Sequence, residues 1–493
     1  MKNEKIIKKN KVMKLLVAQI KSVKKTMLNF TLLNIFMFLM PMIGLSINNE
    51  NDSKLSTTRR NTTKIIWNER NQDKEFKKIQ FGIDAFSKTK ISYKRFDETI
   101  MKVELAEPVV IDVASKVEKW GYFQFPNIYR SISDKETLVC TWHMSADHAS
   151  SYGKGSSEKR ISKDCGKTWI KSENIPLGGG FLLPDGDMIN VITPAAIPDS
   201  ELDLPNPVET NKEAYGRTFS YYRHDDLPEV LKGVYIQKRD KNGNQSKIHA
   251  TINDPNLVRY TDSGLFPIVW WGDMKLTSDK SIVTGPYPTF YVNEKGGVDP
   301  SGVSFYRSTN NGEHWDIIGK IPYIPDLVND ANGKKRLALG FTEPGFEILS
   351  DGTFLCVLRT TDGYGDSPMY ITRSSDQGVS WSEPKVFTPS GVLPRLLQLE
   401  NGVLVLASGR PGVQLRFSFD GKGEKWTDPF EMLPFKEEEN SLSHTCGYPQ
   451  LLATGSDRFL IVYSDFKYPI QGGELRKAIK VREVKVSVNN IKK

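Results

Sequence analysis

The pattern Ser-x-Asp-x-Gly-x-x-Trp, with Asn standing for Asp in one copy, constrains this 493-residue chain more than any other feature. It reads Ser162-x-Asp164-x-Gly166-x-x-Trp169, then Ser308-x-Asn310-x-Gly312-x-x-Trp315, then Ser374-x-Asp376-x-Gly378-x-x-Trp381. A fourth copy runs from Ser418-x-Asp420 to Trp426 with one extra residue. The acidic or amide side chain closes a turn onto backbone N–H groups, glycine reverses the chain, and tryptophan packs the hairpin down. A single copy is a weak signal, but three identical spacings and one stretched copy make a repeat.

A second pattern interleaves with the first. A polar turn carrying Asp or Asn precedes a run of strand-forming residues at Asp134-Lys135, Asp185-Gly186, Asp279-Lys280, Asp351-Gly352, Asn401-Gly402 and Asp457-Arg458. Asp-Gly and Asn-Gly supply the positive φ angles of tight hairpins. The spacings are 51, 94, 72, 50 and 56 residues. No long stretch has helical period. Six hairpins in a repeating all-β chain predict a six-bladed β-propeller over residues 98–493, with no second folded domain there. At roughly 66 residues per blade, against ~40–50 in compact propeller repeats, long loops should protrude. The run AIKVREVKVSV near the C-terminus alternates cleanly and is expected to be a blade strand that helps close the ring. A two-sheet sandwich explains the strands but not the turn motif.

The net charge of +8 excludes less than it suggests. Residues 1–25 hold nine lysines and one glutamate, so the remainder is neutral and offers no basic face for nucleic acid. Met27 to Leu45 then carries no charge. A basic flank before an apolar stretch is the layout of an export signal, so residues 1–48 are expected to be a signal or N-terminal anchor and the rest to lie outside the cytoplasm. Residues 49–97, rich in Asn, Lys and Thr, are expected to be a polar linker with at most one docked segment. Four cysteines in 493 residues exclude a disulfide scaffold, and their lack of CxxC spacing argues against a structural zinc site. No metal or cofactor is expected, and the membrane is expected to be met only through the N-terminal apolar segment.

The repeated motif is the Asp box, and with six blades the chain resembles the sialidase (neuraminidase) superfamily of glycoside hydrolases over about residues 110–480. That resemblance implies a site built from an Arg triad, an Asp, a Glu and a Tyr. The chemistry suits a sugar with a carboxylate on its anomeric carbon. Guanidiniums clamp that carboxylate, and a neutral tyrosine activated by a glutamate avoids the repulsion a carboxylate nucleophile would meet.

Carried onto this sequence, the resemblance implies Tyr448 as nucleophile, Glu343 as its partner and Asp147 as the acid. Tyr448 lies in Cys446-Gly447-Tyr448-Pro449, Glu343 in Glu343-Pro344 before a hairpin, and Asp147 ahead of the first Asp box. Glu347 is the nearby competitor of Glu343. Arg359, at the end of the strand after that hairpin, matches one triad arginine, and Arg410 in Gly409-Arg410-Pro411-Gly412 matches another, with Arg395 its competitor. The first blade departs from the family. Phe123-Gln124-Phe125-Pro126 puts Gln124 where the first arginine belongs, and a glutamine brings no charge. His444, Trp271 and Asp273 are further substrate-binding candidates, and Trp142, Trp270 and Tyr287 are rings able to stack on sugars.

The expectation is an exported, monomeric, exo-acting glycoside hydrolase of sialidase type acting on glycans. Gln124 keeps two alternatives open: a noncatalytic glycan- or protein-binding propeller, and a hydrolase for a different (uronic or deoxy) sugar.

Overall fold

The computed structural model describes residues 79–80, 90–96, 99–361, 367–435 and 440–490. Residues Thr62–Lys493 form one compact unit, and every described residue belongs to it. The expected export segment at 1–48 lies outside the described residues.

The chain folds as an all-β propeller of six blades. Blade 1 is Tyr122–Arg130, Leu138–Met144 and Ser157–Ser162, extended by a bridge from Ile161 to Ile170. Blade 2 is Phe181–Leu182, Met188–Ile192, Val234–Arg239 and Gln245–Asn253. Blade 3 is Met274–Leu276, Ile282–Thr284, Val303–Ser308 and His314–Ile321. Blade 4 is Phe341–Ile348, Phe354–Thr360, Met369–Ser374 and Lys385–Thr388. Blade 5 is Val392–Gln398, Leu404–Gly409, Val413–Ser418 and Phe430–Leu433. Blade 6 begins with Gln450–Gly455, Arg458–Pro469 and Leu475–Asn490. Each of the six turns read from the sequence joins the first two strands of a blade. The outer strands of blades 2 and 3 also pair in parallel at Thr251–Asn253 and His314–Asp316, which fuses the two into one eight-stranded sheet.

The ring closes across the termini. Leu475–Asn490, which contains the alternating C-terminal run, pairs antiparallel with Thr99–Leu105 and with Val109–Val113. Lys90–Phe96 then adds to Thr99–Leu105. That strand falls within the stretch expected to be linker, so the N-terminal part of this sheet starts before residue 98.

The surplus length also differs from expectation. The 94-residue gap between the second and third hairpins holds most of a six-stranded sheet rather than only protruding loops. Its strands are Ile197–Pro198, Glu209–Ala214, Arg217–Arg223, Leu257–Asp262, Leu265–Phe266 and Phe290–Tyr291. Phe219, Tyr221, Tyr260 and Phe290 give this inserted sheet an aromatic core of its own.

Apolar side chains fill the seams between blades. Val405, Leu415 and Phe417 of blade 5 pack on Phe459, Ile461 and Tyr463 of blade 6. Cys140 and Trp142 of blade 1 meet Leu460 and Val462 of blade 6 from the other side. The alternation of the strands thus puts both faces of each blade against a neighbour.

The Asp boxes connect the third strand of a blade to the fourth, and their hydrogen bonds explain the repeat. In the first box the Asp164 carboxylate accepts from the Ser162 hydroxyl at 2.8 Å and the Thr168 N–H at 2.9 Å, while the Gly166 N–H donates to Ser162 Oγ at 2.8 Å. The Trp169 indole donates to the Gly166 carbonyl at 2.9 Å. Gly166 adopts φ +91°, a region costly for any residue with a Cβ. The third box repeats these contacts around Asp376.

Hydrogen bonds from Thr168 hold Asp164 down to about 2, and hydrogen bonds from Ser380 do the same for Asp376. A carboxylate lowered in the folded state stabilises that state above its unfolded value and loses the effect as pH falls through the folded value. Between pH 4 and 2, wild-type stability is therefore expected to fall more steeply than that of a doubly substituted Asp164→Asn, Asp376→Asn protein. Denaturant titrations across that range check this, and parallel curves would contradict it.

Candidate active site

Three inner strands are bent at corresponding places. Strand register slips between Gln124 and Asn127 in blade 1, between Thr342 and Gly345 in blade 4, and between Val392 and Arg395 in blade 5. Each bulge holds a non-glycine residue at positive φ: Phe125 at 50°, Glu343 at 45° and Leu393 at 40°. Such backbone costs of order 1–3 kcal/mol per residue and is found where a site needs a side chain re-aimed. All three residues line one cavity of about 570 Å³. Asp147 and His143 from the end of blade 1, Arg395 from blade 5 and Tyr448 from the entry to blade 6 line it as well. Tyr152, Trp271 and Tyr287 add an aromatic wall, with Trp271 edge-on to Tyr152 at 5.3 Å.

Glu343 is fixed on both oxygens. Its Oε1 accepts the Tyr448 hydroxyl and, at 2.6 Å, Arg359 Nη1, while its Oε2 accepts the Leu393 N–H at 3.0 Å. The same Arg359 nitrogen donates to Tyr448 Oη at 2.9 Å. The phenol, the carboxylate and the guanidinium therefore form a closed triangle joining blades 4 and 6. Phe125 packs edge-on to the Tyr448 ring at 4.9 Å, and the Arg410 guanidinium lies 5.7 Å from that ring's centre.

Burial, and after it the Glu343 carboxylate, push the Tyr448 phenol well above its ordinary value, against the opposing pull of Arg359 and Arg410. The phenol is therefore neutral at rest and positioned to release its proton to Glu343. Burial alone would lower Arg359, but the Glu343 carboxylate overrides it and keeps the guanidinium firmly charged.

The remaining sequence-derived candidates separate clearly. Glu347 pairs with Lys275 at 2.9 Å and is not in the cavity wall. Arg395 lines the cavity but donates to Asp273 at 2.6 Å, so Asp273 serves as its counter-charge and does not line the space itself. Arg410 donates Nε and Nη2 to the Cys446 carbonyl at 3.2 and 3.0 Å and does not line the cavity. His444 is buried against Ser443 and Phe435, away from the wall. Gln124, expected as a substrate ligand, is 0 % exposed with neither amide atom hydrogen-bonded, because the bulge that aims Phe125 into the cavity turns its neighbour into the packing.

Trp120, which the sequence reading passed over, donates its indole N–H to Asp147 Oδ2 at 2.9 Å. The only signal was a tryptophan beside Gly121 shortly before the first blade, and nothing local marks it as part of a site.

Fold and site together define a six-bladed propeller whose cavity is lined by a hydrogen-bonded tyrosine and glutamate and a separate aspartate, with Arg359 completing the triangle behind the wall. No protein-family model matches the sequence, and no curated protein matches it either. Among solved structures, it is similar to a protein of unknown function from Dyadobacter fermentans DSM 18053, at 17% identity and a TM-score of 0.52, over 78% of this chain and 99% of that one. It is also similar to an alpha-L-arabinanase of Penicillium chrysogenum complexed with arabinobiose, at 15% identity and a TM-score of 0.43, over 76% and 98% of the two chains. A Hadza microbial sialidase matches at 13% identity and a TM-score of 0.42, over 80% of this chain and 73% of its own. At these identities the likeness is one of fold.

Proposed function

We propose that the protein is a retaining glycoside hydrolase that removes a terminal sugar from glycans outside the cytoplasm. The observation that carries this reading is the hydrogen bond from the Tyr448 phenol to a Glu343 carboxylate held on both oxygens, in a cavity that Asp147 also lines.

In the first step Tyr448 Oη attacks the anomeric carbon as its proton passes to Glu343. The bond from that carbon to the leaving oxygen breaks, and Asp147 protonates that oxygen. In the second step water attacks the same carbon as its bond to Tyr448 Oη breaks, Asp147 takes the water's proton, and the released phenolate recovers its own from Glu343. Arg359 steadies the charge that shifts between phenol and carboxylate. Two displacements give net retention.

Gln124 and the arginine pairings favour a second reading of the substrate. Arg359 is engaged by Glu343 and Arg395 by Asp273, and a buried Gln124 offers no charge. Arg410 alone of the sequence-derived arginines has only a carbonyl partner in hand. Sialic acid, whose carboxylate calls for several cations, is on this account a poorer fit than a sugar held by hydrogen bonds and aromatic rings.

A panel of aryl glycosides, a sialoside included, tested on the purified protein from residue 49 onward decides between the readings. Turnover of at least one member is expected, with proton NMR of the first-formed sugar showing the starting anomeric configuration. Inversion would contradict the two-step mechanism, and inertness to every member would favour a binding propeller.

A further inference from the structure

We infer that Trp120 is a positioning residue for Asp147, held in place by a clamp that blades 1 and 6 close on residues 119–122. This role rests on the glycosidase reading above.

Three independent contacts build the clamp. Lys477, buried in blade 6, donates from Nζ to the carbonyls of Lys119 at 2.6 Å and Tyr122 at 3.1 Å, bracketing Trp120 and Gly121. Gly121, at φ +94°, presses backbone to backbone on the Asp147 loop. A Cβ there would stand 2.1 Å from the Ser145 carbonyl oxygen and 2.7 Å from the Asp147 nitrogen, so only glycine allows the approach. His143 ties the two segments together. Its Nδ1 lies 3.0 Å from the Gly121 carbonyl, which can only accept, so Nδ1 carries the proton. Its Nε2 is then free to accept the Ser145 hydroxyl at 3.1 Å.

The clamp delivers the Trp120 N–H to Asp147 Oδ2. With Oδ2 engaged, the proton that Asp147 donates resides on Oδ1. An N–H on Oδ2 also favours the carboxylate that forms as the proton leaves, so the contact strengthens in the transition state. The face of the Trp120 ring is occupied too. The Arg410 guanidinium lies 5.8 Å from its centre, and the same guanidinium lies 5.7 Å from the Tyr448 ring. One side chain thus spans the acid and the surroundings of the nucleophile. At 38 % exposure, Trp120 contributes little to the core beyond an edge-on contact with Phe466 at 6.1 Å.

The test is leaving-group dependence. Trp120→Phe keeps an aromatic ring beside Arg410 and removes the N–H donor together with part of the indole's bulk. On an accepted sugar, a dinitrophenyl glycoside leaves without protonation, whereas a methyl glycoside needs the acid. Trp120→Phe is expected to lower kcat/KM on the methyl glycoside at least about tenfold more than on the dinitrophenyl glycoside. In an Asp147→Asn background the same substitution should add no further discrimination between the two. An equal loss on both substrates, or discrimination that persists without Asp147, would overturn the positioning role while leaving the enzyme reading intact. Failure of the wild-type protein to turn over either glycoside would overturn the enzyme reading itself, and this role with it.

Discussion

Tyr448→Phe is expected to lower kcat on any accepted glycoside by at least about a thousandfold while the protein stays folded. The change removes one oxygen, the atom that attacks the anomeric carbon. Glu343 is not orphaned by it, because Oε1 keeps Arg359 and Oε2 keeps the Leu393 N–H. The ring remains packed on Phe125. The stability change should be limited to the two hydrogen bonds of the lost hydroxyl, one donated to Glu343 and one accepted from Arg359, roughly 2–4 kcal/mol together. Steady-state kinetics beside a thermal melt separate the two effects. A variant that kept full turnover would eliminate tyrosine as nucleophile. One that lost turnover because it unfolded would show the triangle to be structural.

Trp315→Ala is expected to cost roughly 3–5 kcal/mol of stability, the range for truncating a large buried aromatic. Trp315 is fully buried between blades 2 and 3, among Ile189, Ile236, Ile282 and Tyr306, with Trp270 at 6.2 Å. Its indole N–H has no partner, so the loss is one of packing and not of a hydrogen bond. Denaturant unfolding checks the size of the effect. Trp315 lies in an Asp box, not in the cavity wall, so a stable protein with lost activity would contradict its assignment to the scaffold.

The parts of the fold legible from sequence are those set by local chemistry. Asp351-Gly352 and Asn401-Gly402 form hairpins because few residues but glycine tolerate the φ of 85° at Gly352 and Gly402, and an Asp box satisfies most of its hydrogen bonds within eight residues. Ring closure is different in kind. Thr99 pairs with Asn490, and neither stretch carries a mark naming its partner. The inserted sheet likewise pairs Arg217–Arg223 with Leu257–Asp262, far along the chain, so its residues read as loop until their pairing is known.

The site divides along the same line. Tyr448, Glu343 and Arg359 stand out through the family resemblance, which can be applied because each flanks a hairpin recognisable in one dimension. The meeting of Glu343 with Tyr448, 105 positions apart, is a matter of three dimensions. The bulges decide what sequence position cannot. In blade 1 the chain turns Phe125 into the cavity and Gln124 away from it, so matching a family position by alignment predicts the wrong side chain. Arg395 and Asp273, 122 positions apart, and Trp120 with Asp147, 27 apart, are pairings of the same sort.

The most direct test of the central claim is to trap the intermediate. The protein would be quenched during turnover of an accepted sugar in fluorinated form, which slows the second step, and its peptides mapped by mass spectrometry. The account predicts one glycosyl adduct, on Tyr448. An adduct on Glu343, or turnover that proceeds with Tyr448 unmodified, would contradict it.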